Sequence, residues 1–193
     1  MIAHLRGRLI ERYPTHLIVE CQGVGYFVNI SLHTFSLLKD GENLLIYTHL
    51  LVKEDSHTLY GFCEPSEREV FRLLISVSGV GPSIARTVLS SLSPTEVRDA
   101  IVQGDVPTIQ GVKGIGAKTA QRLILDLKDK ILKVEINGEV SPRSNNTNKE
   151  EALSALEVLG FPRRQSEKVV DKVLTGEPSL SVENIIKQAL KNL

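Results

Sequence analysis

Short apolar runs separated by turn residues make up the first 63 residues of the chain. Five of these runs are rich in β-branched and aromatic residues, namely IAHLRGRLIER, HLIVEC, VGYFVNI, NLLIYTHLLV and HTLYGFC. Such runs are typical of β-strands, and five strands in so short a segment favour a small antiparallel barrel. An OB-fold and an SH3-like barrel both have this strand count, so both are open at this point.

The spacing of apolar residues changes from a strand period to a helical period over residues 64–136. Ser66 followed by Glu69 predicts an N-terminal capping box for the first helix of this segment. Ser93 followed by Glu96 predicts a second capping box further along. The sequence therefore predicts an all-α domain directly after the barrel of residues 1–63.

Polar and turn-forming residues dominate residues 137–149, which have the sequence NGEVSPRSNNTNK. This composition predicts a flexible linker. Residues 150–193 then contain three amphipathic stretches, EEALSALEVLGF, RRQSEKVVDKVL and SVENIIKQALKNL. They predict a three-helix bundle similar to a ubiquitin-associated domain, and so small a core favours an apolar face that is open to a partner. The whole chain is predicted to be an α+β multidomain protein.

The composition narrows the possible chemistry. The chain has 193 residues with 23 Lys and Arg against 23 Asp and Glu, so its formal net charge is zero and any anion-binding surface must be local. Cys21 and Cys63 form no CxxC pair, and no secretory leader is evident, which favours a reducing, cytoplasmic location. No apolar run reaches the about 20 residues of a membrane span. The histidines lack the spacing of metal ligands, so no metal or cofactor is expected.

Two stretches of the helical segment are nearly alike: GVGPSIARTVLSSL at 79–92 and GIGAKTAQRLILDL at 114–127. Each places a Gly-x-Gly turn before an amphipathic helix. A single such turn is equally well explained as a helix end followed by a helix start. Two matched copies favour a pair of phosphate-binding sites, because the first N–H groups of a helix are unpaired and carry its positive dipole end. The candidate phosphate-binding residues are Gly79, Val80, Gly81, Ser83, Gly114, Ile115, Gly116, Lys118, Thr119 and Arg122.

The motifs SGVGPSIA and KGIGAKTAQRLILDLKDK, together with MIAHLRG, GVGYFVNI and THLLVKEDSHTLYGF, resemble the RuvA family of Holliday junction branch-migration proteins. The resemblance covers essentially the whole chain. It implies an N-terminal OB-fold, a central domain with two helix-hairpin-helix motifs, and a C-terminal three-helix domain on a tether. It also implies a homotetramer, with an octamer of two tetramers left open, that holds a four-way DNA junction open and square during recombination and repair in the SOS response. The implied protein partners are the hexameric ATPase RuvB and the resolvase RuvC.

The resemblance assigns further roles to individual residues. Glu54 and Asp55 match an acidic pin that repels phosphates at the centre of the junction, although on its own the sequence KEDS is typical of a solvated turn. The C-terminal domain is implied to bind the motor, and its candidate contact residues are Leu159, Phe161, Val170 and Leu174. The chain departs from the family at three positions. Ser83 and Ala117 stand where the family often has a basic residue, and Lys113 stands where it often has proline.

Three alternatives start from the same motifs. Helix-hairpin-helix DNA glycosylases and nucleases share a GxGxKTA motif in which Lys118 would be catalytic, but Asp126 and Asp129 fall on the same helix and not in a separate cleft wall. A nucleotide-binding P-loop is excluded because Ala117 separates Gly116 from the lysine and the motif follows a helix. A general DNA-binding adaptor is the third alternative. The chain is thus expected to have no intrinsic catalysis, and a partner must supply energy for branch migration.

Overall fold

The structure is a computed structural model that describes residues 1–39, 43–134, 145–177 and 180–193. The chain divides into two compact units, Met1–Glu139 and Val140–Leu193. Within the described ranges, no helix combines the length and the apolar character that crossing a membrane requires.

Five strands form a closed barrel at the start of the first unit. They are β1 (His4–Tyr13), β2 (His16–Cys21), β3 (Val24–Ile30), β4 (Asn43–Val52) and β5 (His57–Phe62), and a short helix α1 (Leu32–Leu37) lies between β3 and β4. The strand order around the barrel is β1-β2-β3-β5-β4, with β3 and β5 parallel and the other paired strands antiparallel. This non-sequential order is that of an OB-fold and not of a simple meander. The predicted five-stranded OB-fold barrel is therefore confirmed, but the expectation that it is antiparallel throughout was wrong, because β3 and β5 pair in parallel.

Alternating residues fill the barrel. Leu17 and Val19 on β2 point inwards and are fully buried, as are Val28 on β3 and Ile46 on β4. This period of two is what the short apolar runs of the sequence predict for strands with one buried face. The barrel core is separate from the core of the helices that follow.

Five helices complete the described part of the first unit: α2 (Pro65–Ile75), α3 (Pro82–Ser91), α4 (Pro94–Gln103), α5 (Val106–Gln110) and α6 (Ala117–Ile131). Their core is built from aliphatic residues around Phe71, and Phe62 at the end of β5 belongs to the same core. The rings of Phe62 and Phe71 lie 5.0 Å apart. The barrel therefore packs directly on α2, which fixes the starting direction of the helical region.

One of the two predicted capping boxes is present. The Ser93 hydroxyl accepts the backbone N–H of Glu96, and the Glu96 carboxylate accepts the backbone N–H of Ser93 at 2.7 Å, so the box at α4 is confirmed. The box at α2 was wrong: α2 begins after Glu64, and Ser66 lies inside the helix. Pro65 explains the difference, because proline fits the first position of a helix and starts α2 before Ser66 can act as a cap.

The second unit contains three helices in its described part, α7 (Asn145–Val158), α8 (Arg163–Gly176) and α9 (Val182–Leu190), around a small aliphatic core. Residues 137–144 of the predicted linker lie outside the described residues. Its last residues, 145–149, belong to α7. Contacts within the unit account for this longer helix. The Asn148 side-chain amide donates to the carbonyl of Leu180 at 3.3 Å, and the Lys149 ammonium lies 2.6 Å from the Asp171 carboxylate.

Candidate nucleic-acid interface

The two Gly-x-Gly turns have nearly the same backbone geometry. Gly79 and Gly114 have φ angles of 92° and 95°, a left-handed conformation that favours glycine. Gly81 and Gly116 are the N-caps of α3 and α6, with φ and ψ of −82° and 168° at Gly81 and of −84° and 164° at Gly116. Helix α2 precedes the first turn and helix α5 the second. The duplicated sequence thus folds into two helix-hairpin-helix motifs, as predicted.

The middle residue of each turn anchors it to the core. The side chains of Val80 and Ile115 are only 4% and 6% exposed. Their N–H groups donate to the carbonyl oxygens of Val77 and Val112 at 3.0 and 3.1 Å. Because both the side chain and the N–H group point into the protein, these two residues hold the turn in place and have no donor left for a ligand.

Donors for an anion lie at the start of the second helix of each motif. No side chain caps α3 or α6, so the first N–H groups of these helices have no side-chain acceptor in the described part of the chain. Helix α3 has one donor fewer, because its first residue, Pro82, has no N–H group. The positive end of each helix dipole lies at the same place. In the described structure, a methyl group added at Gly81 or Gly116 would meet no heavy atom within 4 Å. An anion therefore has an open approach to both helix starts.

The two motifs lie side by side. A methyl group added at Gly114 in the second turn would lie 3.9 Å from the Cγ1 atom of Ile84, which belongs to the first turn of α3. The two helix starts therefore form neighbouring parts of one surface. Such an arrangement suits two phosphates of one DNA backbone or of two backbones across a groove.

The positive charge of this surface comes from the second motif. Lys118 and Arg122 are exposed, while Thr119 is half-buried near the start of α6. In the first motif, Ser83 is exposed but brings no charge. Arg86 on α3 is engaged elsewhere, since it donates to the Asn29 side-chain oxygen at 3.0 Å on β3. The first motif therefore offers mainly backbone dipoles, and the second adds side-chain cations.

The predicted acidic residues lie at the tip of a tight hairpin. The N–H group of Lys53 donates to the carbonyl of Ser56 at 2.8 Å, and Ser56 donates back to Lys53 at 3.4 Å. These bonds close the β4–β5 turn and leave Glu54 and Asp55 exposed at its end. The Ser56 hydroxyl also donates to the Asp55 carboxylate at 3.1 Å. We call this turn the acidic tip; it is a negative projection from the barrel.

The structure gives no support to a glycosylase site. Asp126 and Asp129 are exposed on α6, the same helix that carries Lys118 at its start. Both carboxylates therefore lie on the same helix as the lysine and not on a separate cleft wall, which is where such chemistry requires one of them. Helix α5 precedes the GVKGIGAKT segment, so the strand required by a P-loop is also missing there.

The four candidate motor contacts differ in accessibility. Leu159 is 58% exposed, and Phe161 and Leu174 are partly buried against the core of the second unit. Val170 is fully buried in that core, so its side chain packs within the unit, and its role as a motor contact stays a prediction. It faces the core because it lies on the side of α8 that packs against the other two helices.

An exposed apolar residue that the sequence motifs did not indicate lies next to Leu159. Val158 is 87% exposed and lines a groove between α7 and α9. The other residues that line this groove are Glu151, Ser154, Ala155, Leu159 and Ile186. The signal that could have found Val158 is its place beside Leu159 at the end of α7, before Gly160, where an apolar pair cannot lie wholly on the buried face.

Comparisons with known proteins agree with this architecture. Family models match in three parts: "RuvA N terminal domain" at residues 1–61, "SAM-like Helix-hairpin-helix tandem" at 71–129 and "RuvA, C-terminal domain" at 147–193. The chain is 67% identical over 193 residues to a protein of Christiangramia forsetii and 60% identical over 193 residues to one of Flavobacterium psychrophilum, covering 100% of each chain. A Bacteroides thetaiotaomicron protein is 44% identical over 201 residues, again with 100% of both chains covered. All three relatives are named "Holliday junction branch migration complex subunit RuvA". With the barrel, the paired helix-hairpin-helix motifs and the three-helix unit all matched in order, the chain belongs to the RuvA family.

Proposed function

We propose that this chain is the junction-binding subunit of a Holliday junction branch-migration complex and catalyses no reaction of its own. The observation that carries this proposal is the pair of neighbouring, uncapped helix starts that follow the two Gly-x-Gly turns. Backbone N–H groups bind phosphate without distinguishing bases, which suits a protein that recognises DNA by its shape. The names of the relatives support the same function.

In this function, the two motifs bind the DNA backbone. The N–H groups at the start of α3 and α6 are the main phosphate donors, assisted by the hydroxyl groups of Ser83 and Thr119. Lys118 and Arg122 add positive charge beside the second phosphate. Val80 and Ile115 contribute indirectly, since they hold the turns whose glycines let the DNA backbone come close.

The acidic tip acts by repulsion. The two carboxylates of Glu54 and Asp55 disfavour a phosphate at the same place, because like charges in close contact repel. We propose that four chains form a tetramer, which brings four acidic tips together at the centre of the junction and directs the strands apart. An octamer would close a second tetramer over the same DNA, and the resolvase RuvC would then compete for that face.

The second unit is proposed to recruit the RuvB motor. The groove between α7 and α9, with Val158 and Leu159 at its edge, is an exposed apolar surface of the kind that marks protein–protein contacts. RuvB would supply the ATP hydrolysis that this chain lacks. We place the complex in the cytoplasm, where the free thiols of Cys21 and Cys63 remain reduced.

A gel-shift competition tests the DNA-binding function. The protein is offered a synthetic four-way junction and a linear duplex of the same arm sequence, across a series of salt concentrations. Strong preference for the junction supports the proposal, and equal affinity contradicts it. Lys118→Glu should make the plot of log affinity against log salt less steep by about 0.9 for each chain that loses one phosphate contact, or about 3.6 for the four chains of the proposed tetramer.

Lys128→Glu is the matched control for this slope. Lys128 is also exposed on α6, but it lies in the last turn, about 15 Å along the helix from Lys118. The same charge change at this position should leave the slope close to that of the wild type. If both variants lower the slope equally, the effect is one of overall charge, and Lys118 has no special contact with phosphate.

A further inference from the structure

The joint between the barrel and the hairpins contains a buried carboxylate that the DNA-binding function does not explain. Helix α2 follows β5 and leads to the first hairpin, while α1 follows β3 and contacts α3. The N–H group of Leu32 at the start of α1 donates to the Ser90 hydroxyl on α3 at 3.1 Å. The β3–α1 corner and α2 together therefore connect the barrel, which carries the acidic tip, to the helices that carry the phosphate donors.

Glu67 on α2 binds this corner through two hydrogen bonds. The Ser31 hydroxyl donates to Oε1 of Glu67 at 2.5 Å, and the Thr34 hydroxyl donates to Oε2 at 2.6 Å. Ser31 is at the same time the N-cap of α1, since its oxygen accepts the N–H of Thr34 at 2.9 Å. One carboxylate therefore links the start of α1 to α2, across 36 residues of sequence at Ser31.

This carboxylate lies in an unfavourable place for a charge. Glu67 is 0% exposed and is the only charged residue that is fully buried among the described residues. No ion pair is found for it within the same part of the chain. Burial raises the pKa of Glu67 to about 7, against the opposing effect of the hydrogen bonds from Ser31 and Thr34. Both protonation states are therefore populated near neutral pH.

The neighbouring titratable groups do not relieve this charge. Glu64 at the start of α2 raises the pKa of Glu67 further. Burial, Glu67 and Glu64 together raise the pKa of the Cys63 thiol to about 11, so the thiol is neutral at neutral pH. Arg12 on β1 acts in the opposite direction at Cys63, but its side chain reaches the carbonyl of Leu38 at 3.3 Å and not the Glu67 carboxylate.

We propose that Glu67 is a positioning residue for junction recognition, which holds the acidic tip of the barrel at a fixed orientation relative to the two phosphate-binding hairpins. This inference rests on the proposed junction-binding function. When Glu67 is protonated, α2 stays packed against the start of α1 and no charge is buried between them. When Glu67 is ionised, separation of α2 from the start of α1 and entry of water are favoured, because a buried charge without a counterion is strongly disfavoured.

Loss of orientation should affect the junction more than the duplex. A linear duplex needs only the hairpins, whereas discrimination of a four-way junction also needs the acidic tip at its correct distance from them. Preference for the junction over the duplex should therefore fall as pH rises from 6 to 8. We expect a fall of about fivefold, which lies at the low end of typical couplings between two sites.

The test compares the wild-type full-length chain with Glu67→Gln at pH 6, 7 and 8 and constant ionic strength. The measured quantity is the ratio of the duplex Kd to the junction Kd. Glutamine has nearly the shape of the protonated acid, with one acceptor oxygen and an N–H donor in place of the O–H group, and it cannot ionise, so the ratio should stay at its pH 6 value throughout. Histidines also titrate in this range, but all five are present in both proteins, so the difference between the two profiles isolates Glu67.

Two further variants separate positioning from simple structural support. Thr34→Val removes a hydrogen bond that favours the ionised form, so the midpoint of the pH profile should move to higher pH. Asp99→Asn is the control, since the Asp99 carboxylate on α4 is exposed and pairs with Arg98 at 3.3 Å, and it should reproduce the wild-type profile. A structural role alone would lower stability without moving the midpoint.

The outcomes distinguish this inference from the function on which it rests. If the wild type prefers the junction at some pH but Glu67→Gln follows the same pH profile, the positioning role is wrong and the proposed function stands. If the wild type shows no preference for the junction at any pH, the proposed function itself fails. Hydrogen exchange of the α1 amides without DNA gives an independent measure, with faster opening expected above pH 7 in the wild type only.

Discussion

Replacing either glycine of the second Gly-x-Gly turn by alanine should have a different effect. One substitution should mainly lower DNA affinity, and the other should mainly lower the free energy of unfolding. At Gly116 the backbone has φ −84° and ψ 164°, which any residue adopts, and an added methyl group meets no heavy atom of the described structure within 4 Å. Gly116→Ala should therefore lower the free energy of unfolding by less than about 1 kcal/mol, the cost of the poorer N-cap alone. The same methyl group would stand where a phosphate approaches the start of α6. Loss of hydrogen bonds to a charged group costs about 1.5–3 kcal/mol, or roughly tenfold or more in Kd.

Gly114→Ala should have the opposite result. Its φ of 95° is left-handed, and a left-handed conformation costs a non-glycine residue about 1–2 kcal/mol. The nearest contact of the new methyl group, Ile84 at 3.9 Å, is an ordinary van der Waals distance and adds no clash. We therefore expect a loss of stability of about 1–2 kcal/mol from backbone strain alone. DNA binding by the fraction that remains folded should change less than in Gly116→Ala.

Urea unfolding and junction gel shifts on the same two proteins provide the assay. Gly81→Ala serves as the matched control, because Gly81 has the same N-cap geometry in the first hairpin and the same open surroundings. It should behave like Gly116→Ala, with the same small loss of stability and weaker binding. Junction binding by Gly116→Ala equal to that of the wild type, or a loss of stability as large as that of Gly114→Ala, would contradict this prediction.

Three other predictions concern charge and partner binding. Glu54→Gln combined with Asp55→Asn should leave junction affinity equal or higher and reduce the preference over duplex in gel shifts; a collapse of binding would mean that the pair has a structural role. The pKa of Glu67 is raised from 4.5, its value in the unfolded chain, to about 7 in the folded protein. The contribution of Glu67 to the free energy of unfolding is therefore fully present below pH 4.5 and is lost as the pH rises through about 7. Glu67→Gln should thus gain up to about 3 kcal/mol over the wild type in urea unfolding at pH 8.5 but little at pH 5, and an equal difference at both pH values would contradict this. Val158→Glu should leave junction binding intact and abolish stimulation of the RuvB ATPase, whereas normal stimulation would exclude the α7–α9 groove as the motor contact.

The hairpins could be predicted from sequence because their information is local and occurs twice. A Gly-x-Gly turn followed by an amphipathic helix fixes the dihedral angles of the turn, and repetition makes chance agreement improbable. The Ser93 capping box is local in the same way. Ser66 shows the limit of such reasoning, since Pro65 beside it competes for the start of the helix and takes it.

Features that depend on distant contacts could not be predicted. Glu67 lies in the sequence EPSEREV, between Ser66 and Arg68, where a charged residue is typical of a solvated helix face. Only the folded chain brings it to Ser31 and Thr34. The burial of Val170 could not be predicted for a related reason: apolar residues surround much of a short helix in a small bundle, so the sequence does not show which of them faces the core.

The formal charge of zero is consistent with the proposed mechanism of recognition. A protein that bound DNA chiefly through lysine and arginine would hold a linear duplex as firmly as a junction, because both present the same phosphates. Backbone dipoles at two helix starts bind phosphate more weakly than lysine and arginine side chains do, and this binding depends strongly on position. The acidic tip lowers the affinity for any DNA that passes over it. Affinity then rises only when several such surfaces engage one DNA molecule together, which multiplies weak contacts. A four-way junction offers that arrangement, and a duplex does not. Low net charge therefore favours selectivity for shape, at the expense of affinity per chain.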